Sequence, residues 1–267
     1  MISFVATPIG NLKDITLRGL ETLKAADVIF CEDTRHTLKL LSAYEIKKPL
    51  YACHKFNERE AAEKILAFSK EGKEIAIVSD AGMPVISDPG NKICRILREA
   101  GEPYTVIPGA CAFVCALVLS ALPADRFTFV GFLPDKAKER KQTLMRYQNH
   151  TDTLIVHAAP QDVDGYLAEM YEIFGERNAC LVREITKIHE EHIPFLLSEG
   201  APGEKRGEYV LLVEGAKAQE NALNALSPRE HVVYYLEQGL DKKEALKCAA
   251  RDRGVPKSEL YKEVLDL

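Results

Sequence analysis

The residues best suited to chemistry lie in one short loop, residues 79–90, which directly follows an apolar run at residues 74–78. The loop reads S-D-A-G-M-P-V-I-S-D-P-G. Its two glycines permit positive φ and close backbone approach, while its two prolines fix φ and carry no N–H to satisfy. Ligands of open α/β sheets bind beyond the carboxyl ends of strands. A stiff loop with two aspartates at that point predicts a small-molecule site. The alternative is a β-turn that only reverses the chain, but such a turn would need fewer glycines and prolines.

Strand and helix patterns alternate around this loop. Strand patterns occupy residues 2–6, 28–31, 75–79 and 104–107, and helix patterns occupy residues 16–24, 58–70 and 91–100, with another from Thr37. Such alternation predicts a mainly parallel sheet flanked by helices. After a break at Pro108 and Gly109, residues 110–122 form a helix of small apolar residues that we expect to be buried on nearly every side.

The pattern starts again near residue 122. Strands are predicted at residues 127–132, 153–157, 179–183 and 209–213, and helices at residues 136–149 and 162–174. Residues 216–228 read as a polar linker, and the three helix patterns after it are spaced like a small helix-turn-helix. The sequence thus predicts two consecutive α/β domains, residues 1–120 and 121–216, followed by a linker and helical tail at residues 217–267.

Composition limits the possible partners. The chain has 267 residues and a formal net charge of −5, so an RNA contact would have to be a local basic patch. Lys243, Lys247 and Arg251 fall four residues apart on one helix face and could form such a patch, although charge alone favours a solvated face. Seven cysteines without a C-x-x-C pair predict reduced thiols in a cytoplasmic protein. We expect no secretory signal and no membrane span.

Several common sites are missing from the sequence. It contains no G-x-x-x-x-G-K-[ST], G-x-G-x-x-G, G-x-S-x-G or H-E-x-x-H motif, which argues against most nucleotide hydrolases, dehydrogenases, esterases and zincins. The segment from His189 to His192 has metal-compatible residue types, but it is more typical of a polar edge segment. We therefore expect no metal.

Loops at other strand ends complete a recognisable set. The motifs are A-T-P-I-G-N-L from Ala6, E-D-T-R from Glu32, S-D-A-G-M-P from Ser79, S-D-P-G from Ser87, P-G at Pro108, G-F-L-P from Gly131, R-E-I-T-K from Arg183 and G-E at Gly207. Together they resemble the tetrapyrrole methylase-like class of S-adenosylmethionine-dependent methyltransferases. Within that class they resemble the branch that methylates ribose 2′-hydroxyls. The resemblance covers essentially the whole chain, including the tail.

The resemblance implies that S-adenosylmethionine lies between the two α/β domains and leaves as S-adenosylhomocysteine. Its implied binding residues come from the strand-end loops and the helix after them: Pro8, Asp80, Ala81, Gly82, Met83, Pro84, Ile86, Ser87, Asp88, Pro108, Gly109 and Ala112. Adenine and methionine groups need backbone contacts and apolar walls more than charges, which suits this set.

A ribose hydroxyl is a poor nucleophile and needs a general base or a polarising cation. We expect Glu184 and Lys187 to supply these, and Arg183 to belong to the same catalytic group. Arg183 and Arg35 could also hold phosphate in a bidentate fashion, and we expect Asp33 and Arg35 to bind the substrate. The alternative is that Arg183 with Glu184, and Glu32 with Arg35, form internal ion pairs that shape the cleft.

One segment departs from the family pattern. Where this branch shows a Tyr-Glu-Ser-Pro-His-Arg type of segment, residues 157–162 read His-Ala-Ala-Pro-Gln-Asp, so a carboxylate and a cation are missing. This puts in doubt the substrate details carried over from the family, but it leaves the cofactor loops intact.

The leading hypothesis is 2′-O-methylation of a decoding-centre cytidine in 16S ribosomal RNA of the small subunit, by a homodimer. A second is methylation of a tetrapyrrole carbon, which the shared fold allows. A third is a non-catalytic protein that binds the cofactor or RNA. The basic helical tail favours the first.

Overall fold

The computed structural model describes residues 1–203, 206–217 and 222–264. They form two compact units, Met1–Ala216 and Lys217–Leu267. The predicted linker falls partly outside the described residues, at positions 218–221. Within the described parts of the chain, no helix is long and apolar enough to cross a bilayer.

A five-stranded, all-parallel sheet forms the first lobe of the larger unit, in the order β3-β2-β4-β1-β5. Its strands are β1 (Ile2–Val5), β2 (Val28–Cys31), β3 (Leu50–Ala52), β4 (Ile75–Val78) and β5 (Tyr104–Ile107). Its helices are α1 (Leu17–Ala25), α2 (Thr34–Ala43), α3 (Glu58–Lys70) and α4 (Asn91–Glu99). The three central strands are buried throughout, because helices cover both faces of the sheet.

A second five-stranded sheet is mixed, in the order β6-β7-β10-β8-β9. Its strands are β6 (Phe127–Phe132), β7 (Thr153–Ala158), β8 (Asn178–Arg183), β9 (Glu191–Leu196) and β10 (Tyr209–Val213). Strands β6 and β7 are parallel, and β10 is antiparallel to both of its neighbours. Helices α5 (Ala112–Ser120), α6 (Ala137–Met145) and α7 (Val163–Phe174) belong with this sheet or its connections.

The exposure of helix α5 differs from the prediction. It was predicted to be buried on nearly every side, yet Val118 is 77% exposed and Val114 is 45% exposed. Only one side of α5 is packed, with Ala116 and Leu117 buried against Ile155 and other residues of the second sheet. The predicted boundary near residue 120 places this helix in the first domain. The exact position of the domain boundary stays a prediction.

The smaller unit contains the three helices expected of the tail, α8 (Pro228–Glu237), α9 (Lys242–Arg253) and α10 (Lys257–Glu263). Ser227 and Glu230 form a reciprocal capping box at the start of α8. One face of α9 is buried in the small core, through Ala245, Leu246 and Ala249. Lys243, Lys247 and Arg251 are exposed on this helix, as their spacing predicts.

Candidate active site

The loop after β4 is held against the loop after β1 by paired backbone hydrogen bonds. The Thr7 N–H donates to the Gly82 carbonyl at 2.9 Å, and the Gly82 N–H donates to the Thr7 carbonyl at 3.1 Å. Gly82 has φ of +78°, and a Cβ there would lie 3.1 Å from Ile9. A side chain at this position would therefore be strained and would crowd the neighbouring loop.

The same loop contains two further residues in the left-handed region, Val85 at φ of 79° and Ser87 at 63°. A β-branched residue with this φ is an outlier, and such strain persists only where the surroundings hold it in place. Buried Glu58, the first residue of α3, is one such restraint. Its Oε1 accepts from the Gly90 N–H at 3.1 Å and its Oε2 from the Lys92 N–H at 3.2 Å. Glu58 therefore fixes the end of the loop and the start of α4.

A cavity of about 410 Å³ opens between the two lobes of the larger unit. Its size suits one small-molecule ligand. The first lobe and α5 supply seven residues that the sequence analysis singled out: Ala81, Gly82, Met83, Ile86, Ser87, Asp88 and Ala112. Residues outside the predicted cofactor-binding set complete the wall, among them Ile9, Cys111, Phe113, Phe132, His157, Ile185, Glu208 and Tyr209.

Five predicted cofactor residues do not line this cavity: Pro8, Asp80, Pro84, Pro108 and Gly109. Two of them have visible supporting contacts. The Asp80 carboxylate accepts from the Asp33 N–H at 3.0 Å, which ties the loop after β4 to the loop after β2. Gly109 lies so close to Ala6 that a Cβ would sit 2.8 Å from the alanine Cβ.

Carboxylates gather behind the first-lobe wall of the cavity. Burial, together with the nearby charges of Glu32 and Asp80, raises the pKa of Asp88 to about 7, against the opposing effect of a Ser79 hydrogen bond. Burial and the Asp80 charge also raise the pKa of Glu32. A positively charged ligand would relieve this crowding of negative charge. The first-lobe wall is therefore suited to a cation.

A lysine and two carboxylates meet on the second-lobe side. The Lys187 Nζ lies 2.9 Å from Glu184 Oε1 and 2.9 Å from Glu208 Oε2, and the Glu208 N–H donates to Glu184 Oε1 at 3.0 Å. The Glu208 N–H and then the Lys187 ammonium lower the pKa of Glu184. Burial opposes the charge on Lys187, but its hydrogen bonds to Glu208 and Glu184 outweigh that effect and raise its pKa. Lys187 is therefore a firmly held cation. Of these three residues, Glu208 lines the cavity, and Glu184 and Lys187 lie behind it.

The remaining predicted residues form ion pairs, but with partners other than those expected. Arg183 Nε lies 2.9 Å from Glu191 Oε2, so Arg183 pairs with Glu191 and not with Glu184. Arg35 binds both oxygens of Asp33, and Asp33 also caps α2 through the Arg35 N–H. The Arg35 side chain is 88% exposed even so, which leaves its outer face open to a second anion.

Sequence reasoning missed several residues that shape this site. Glu208 and Phe132 belong to motifs quoted above, so the sequence contained a signal for their position near the cavity. The sequence contained no signal for Glu58, because a glutamate at the start of an amphipathic helix is usually exposed to solvent. Gly10 lay in the first loop motif, but its close approach to Thr186 and Lys187 needs the fold to be seen: a Cβ there would lie 2.6 Å from Lys187 Cγ.

Comparison with known proteins identifies the family. The profile of the Tetrapyrrole (Corrin/Porphyrin) Methylases matches residues 1–201. The chain belongs to the tetrapyrrole methylase family. The resemblance inferred from its motifs is thus confirmed, as is the fold class of two α/β domains with a helical extension.

Two relatives within this methylase family share almost the full length of the chain. A Bacillus subtilis (strain 168) protein named ribosomal RNA small subunit methyltransferase I is 42% identical over 270 residues, covering 98% of this chain and 92% of that protein. The protein of the same name from Escherichia coli O157:H7 is 44% identical over 269 residues, covering 98% and 93%.

Solved structures of other methylases share the fold. Cobalt precorrin-4 methyltransferase, a cobalamin biosynthetic enzyme, superposes with a TM-score of 0.58 at 16% identity, covering 80% of this chain and 94% of that one. Uroporphyrin-III C-methyltransferase from Thermus thermophilus, solved with S-adenyl homocysteine, gives a TM-score of 0.54 at 19% identity, covering 79% and 96%.

The Glu58 contacts lead to a prediction about the loop. Glu58→Gln leaves a single acceptor oxygen for two N–H groups, one of them buried, so we expect a loss of about 1–3 kcal/mol in the free energy of unfolding. Denaturant titration measures this loss, and hydrogen exchange should show faster opening at Gly90 and Lys92. Glu60→Gln, at an exposed position of the same helix, is the matched control and should change neither. Equal behaviour of the two variants would contradict the assigned role.

Proposed function

We propose that this protein transfers a methyl group from S-adenosylmethionine to a ribose 2′-hydroxyl of small-subunit ribosomal RNA, acting on a cytidine. The observation that carries the proposal is the extent of the match to the ribosomal RNA methyltransferases. The methylase profile ends at residue 201, and the tetrapyrrole enzymes cover about 80% of the chain, whereas the two ribosomal RNA enzymes cover 98%. The helical tail, which carries the row of Lys243, Lys247 and Arg251, is therefore shared with proteins named for ribosomal RNA.

The cavity between the lobes fits the cofactor in size and chemistry. Apolar side chains and loop backbone at residues 81–83 can bind adenine and methionine groups, and Asp88 can face a positive charge. We assign the loops that position these residues, including Pro8, Asp80, Pro84, Pro108 and Gly109, a supporting role in cofactor binding.

When bound, S-adenosylmethionine supplies a methyl carbon that bonds to the ribose oxygen as the sulfur–carbon bond breaks, giving S-adenosylhomocysteine and releasing the hydroxyl proton. Such a displacement needs alignment more than covalent help from the protein. We assign Lys187 the role of polarising the acceptor hydroxyl, because it is a firmly held cation bound to Glu208, which lines the cavity. Because the lowered pKa of Glu184 makes it a weak base, we assign it mainly to holding Lys187 in place. We assign acceptance of the proton to Glu208, which lies 2.9 Å from that lysine and lines the cavity.

Phosphate contacts complete the proposal. Arg183 and Arg35 can bind phosphate oxygens, with Asp33 orienting Arg35. Lys243, Lys247 and Arg251 offer a separate row of charges on α9 for the RNA backbone. We place the protein in the cytoplasm, with the small ribosomal subunit as its partner.

Methyl transfer can be tested directly. Labelled S-adenosylmethionine should modify small subunits from cells in which this gene is inactivated. Lys187→Met should lower kcat about 100- to 1000-fold, because a positioned charge is lost from the reaction site. Lys141→Met removes a lysine that pairs with Glu172 on the surface of the second lobe, and should leave kcat unchanged.

Other outcomes distinguish the alternatives. Transfer of the labelled methyl group to a tetrapyrrole but not to RNA would favour the hypothesis that the protein methylates a tetrapyrrole carbon. Cofactor binding without transfer to either acceptor would favour a non-catalytic protein.

The carboxylates around Asp88 predict a pH dependence of cofactor binding. Glu32, Asp80 and Ser79 face Asp88, and its pKa of about 7 means that it gains charge as the pH rises through neutrality. A cation binds better to the ionised form, so the affinity for S-adenosylmethionine should increase about 10-fold between about pH 6 and 8. Calorimetry should show a flat profile for Asp88→Asn, while Asp14→Asn, at an exposed site, keeps the slope. The same slope in Asp88→Asn would contradict the assignment.

We also propose a homodimer. Strand β5 is an edge strand whose Tyr104 and Val106 are exposed, and α5 exposes Val114 and Val118. Unpaired strand edges and apolar faces of this kind favour association, and a second copy of the chain can cover them symmetrically.

Solution mass tests the dimer. At micromolar concentration the mass should be twice the 29.8 kDa of one chain. Val118→Asp should shift it to one chain, because a buried interface would not tolerate the charge. Leu17→Asp, at an equally exposed apolar position on α1, should remain dimeric. A monomeric wild-type protein would remove the proposal.

A further inference from the structure

A continuous row of aromatic rings runs through the second lobe to the cavity. Phe113 stacks on Phe129 with ring centroids 4.3 Å apart. Phe129 meets His157 edge to face at 5.2 Å, and His157 lies 5.3 Å from Phe132. Phe113, His157 and Phe132 all line the cavity. The row therefore ends in ring surface that a ligand can reach.

An irregularity in strand β6 changes the direction of the Phe132 side chain. Strands β6 and β7 pair in parallel, but their register shifts between Phe129 and Gly131, and Gly131 has φ of +77°. In a regular strand, side chains three residues apart point to opposite faces. Here Phe129 and Phe132 both contact the His157 ring. Bulges commonly re-aim a side chain beside a functional site, and this one turns Phe132 towards the cavity.

The rings at the end of the row are free to stack. Burial lowers the pKa of His157, against the opposing effects of Glu208 and a backbone hydrogen bond to Tyr209, so the imidazole is neutral near pH 7. Phe132 is 62% exposed although it lines the cavity, and it ends an edge strand. These features describe an uncharged aromatic platform at the rim of the cavity.

The size of the cavity limits what the platform can hold. A space of about 410 Å³ is filled by one ligand of cofactor size, so a nucleotide base cannot enter beside it. Only the ribose hydroxyl needs to approach the methyl group, and the base must lie at the rim. Proteins that recognise RNA commonly stack unpaired bases on aromatic side chains.

We propose that Phe132 and His157 form a stacking platform for the base of the acceptor nucleotide. This inference rests on the proposed function, because it presupposes an RNA acceptor. Stacking on an aromatic ring is sequence-tolerant, so the platform positions the nucleotide and leaves recognition of its identity to other contacts. Phe132 is therefore a substrate-binding residue and not a catalytic one.

Steady-state methylation of small subunits that lack the modification tests the platform. Phe132→Ala should raise KM for the subunits about 10-fold, the size expected for loss of one base-stacking contact, while the calorimetric affinity for S-adenosylmethionine stays within about twofold of wild type. Phe132→Tyr and His157→Phe retain the rings and should keep KM near the wild-type value. Phe56→Ala, which removes a phenylalanine that is 91% exposed on the first lobe, is the control and should change nothing.

Three results would overturn the platform alone: an unchanged KM in Phe132→Ala, a loss of cofactor affinity in that variant, or a shift of its solution mass that marks Phe132 as a subunit contact. Wild-type protein that binds S-adenosylmethionine but methylates no RNA would overturn the proposed function, and the platform with it. Because wild type is measured first, the two failures are separable.

Discussion

The site depends on one close contact between the two lobes. Gly10, in the loop after β1, lies where a Cβ would meet Lys187 Cγ at 2.6 Å, Thr186 Oγ1 at 2.8 Å and the Ile185 carbonyl at 2.9 Å. Ile9 and Ile185, next to this contact, are buried in one cluster with α5 and the second sheet. Since interiors are close-packed, a side chain at position 10 could be accommodated only by moving one loop or the other. The contact thus sets the distance between the walls of the cavity.

Charge is divided between the two sides of that cavity. The first lobe contributes carboxylates whose mutual repulsion and burial raise the pKa values of Asp88 and Glu32. The second lobe contributes Glu208, which lines the cavity and binds Lys187. One wall is therefore suited to a cationic ligand, and the other to a ligand with a polar group. Because the two charged clusters share no residues, a change to one need not disable the other.

The structure shows what the unusual segment at residues 157–162 contributes to the cavity wall. His157 replaces a tyrosine of the usual family pattern, and its ring packs between Phe129 and Phe132 at the cavity wall. An aromatic ring is kept there while the carboxylate and the cation are lost. The departure therefore changes the polar groups of this segment and leaves the loops of the first lobe unchanged.

Much of the fold followed from local patterns. Strands such as Phe127–Phe132 and helices such as Glu58–Lys70 have the predicted bounds, because their periodicity and flanking residues are strong signals. Edge strands Leu50–Ala52 and Glu191–Leu196 were missed, since short, half-exposed strands have little hydrophobic pattern. The exposure of one side of α5 was missed as well. Because this helix is apolar on every side, its sequence does not indicate which side is packed.

The sequence by itself determined the family, the two α/β domains and the loops that meet at the first sheet, because strand ends, glycines, prolines and motif order are local properties of the chain. Only the tertiary structure decided that Glu58 restrains the loop, that Arg183 pairs with Glu191, and that Phe132 and His157 share the cavity wall. Those relationships join residues that are distant in sequence. Their partners are set by packing and by strand register, which no local pattern specifies.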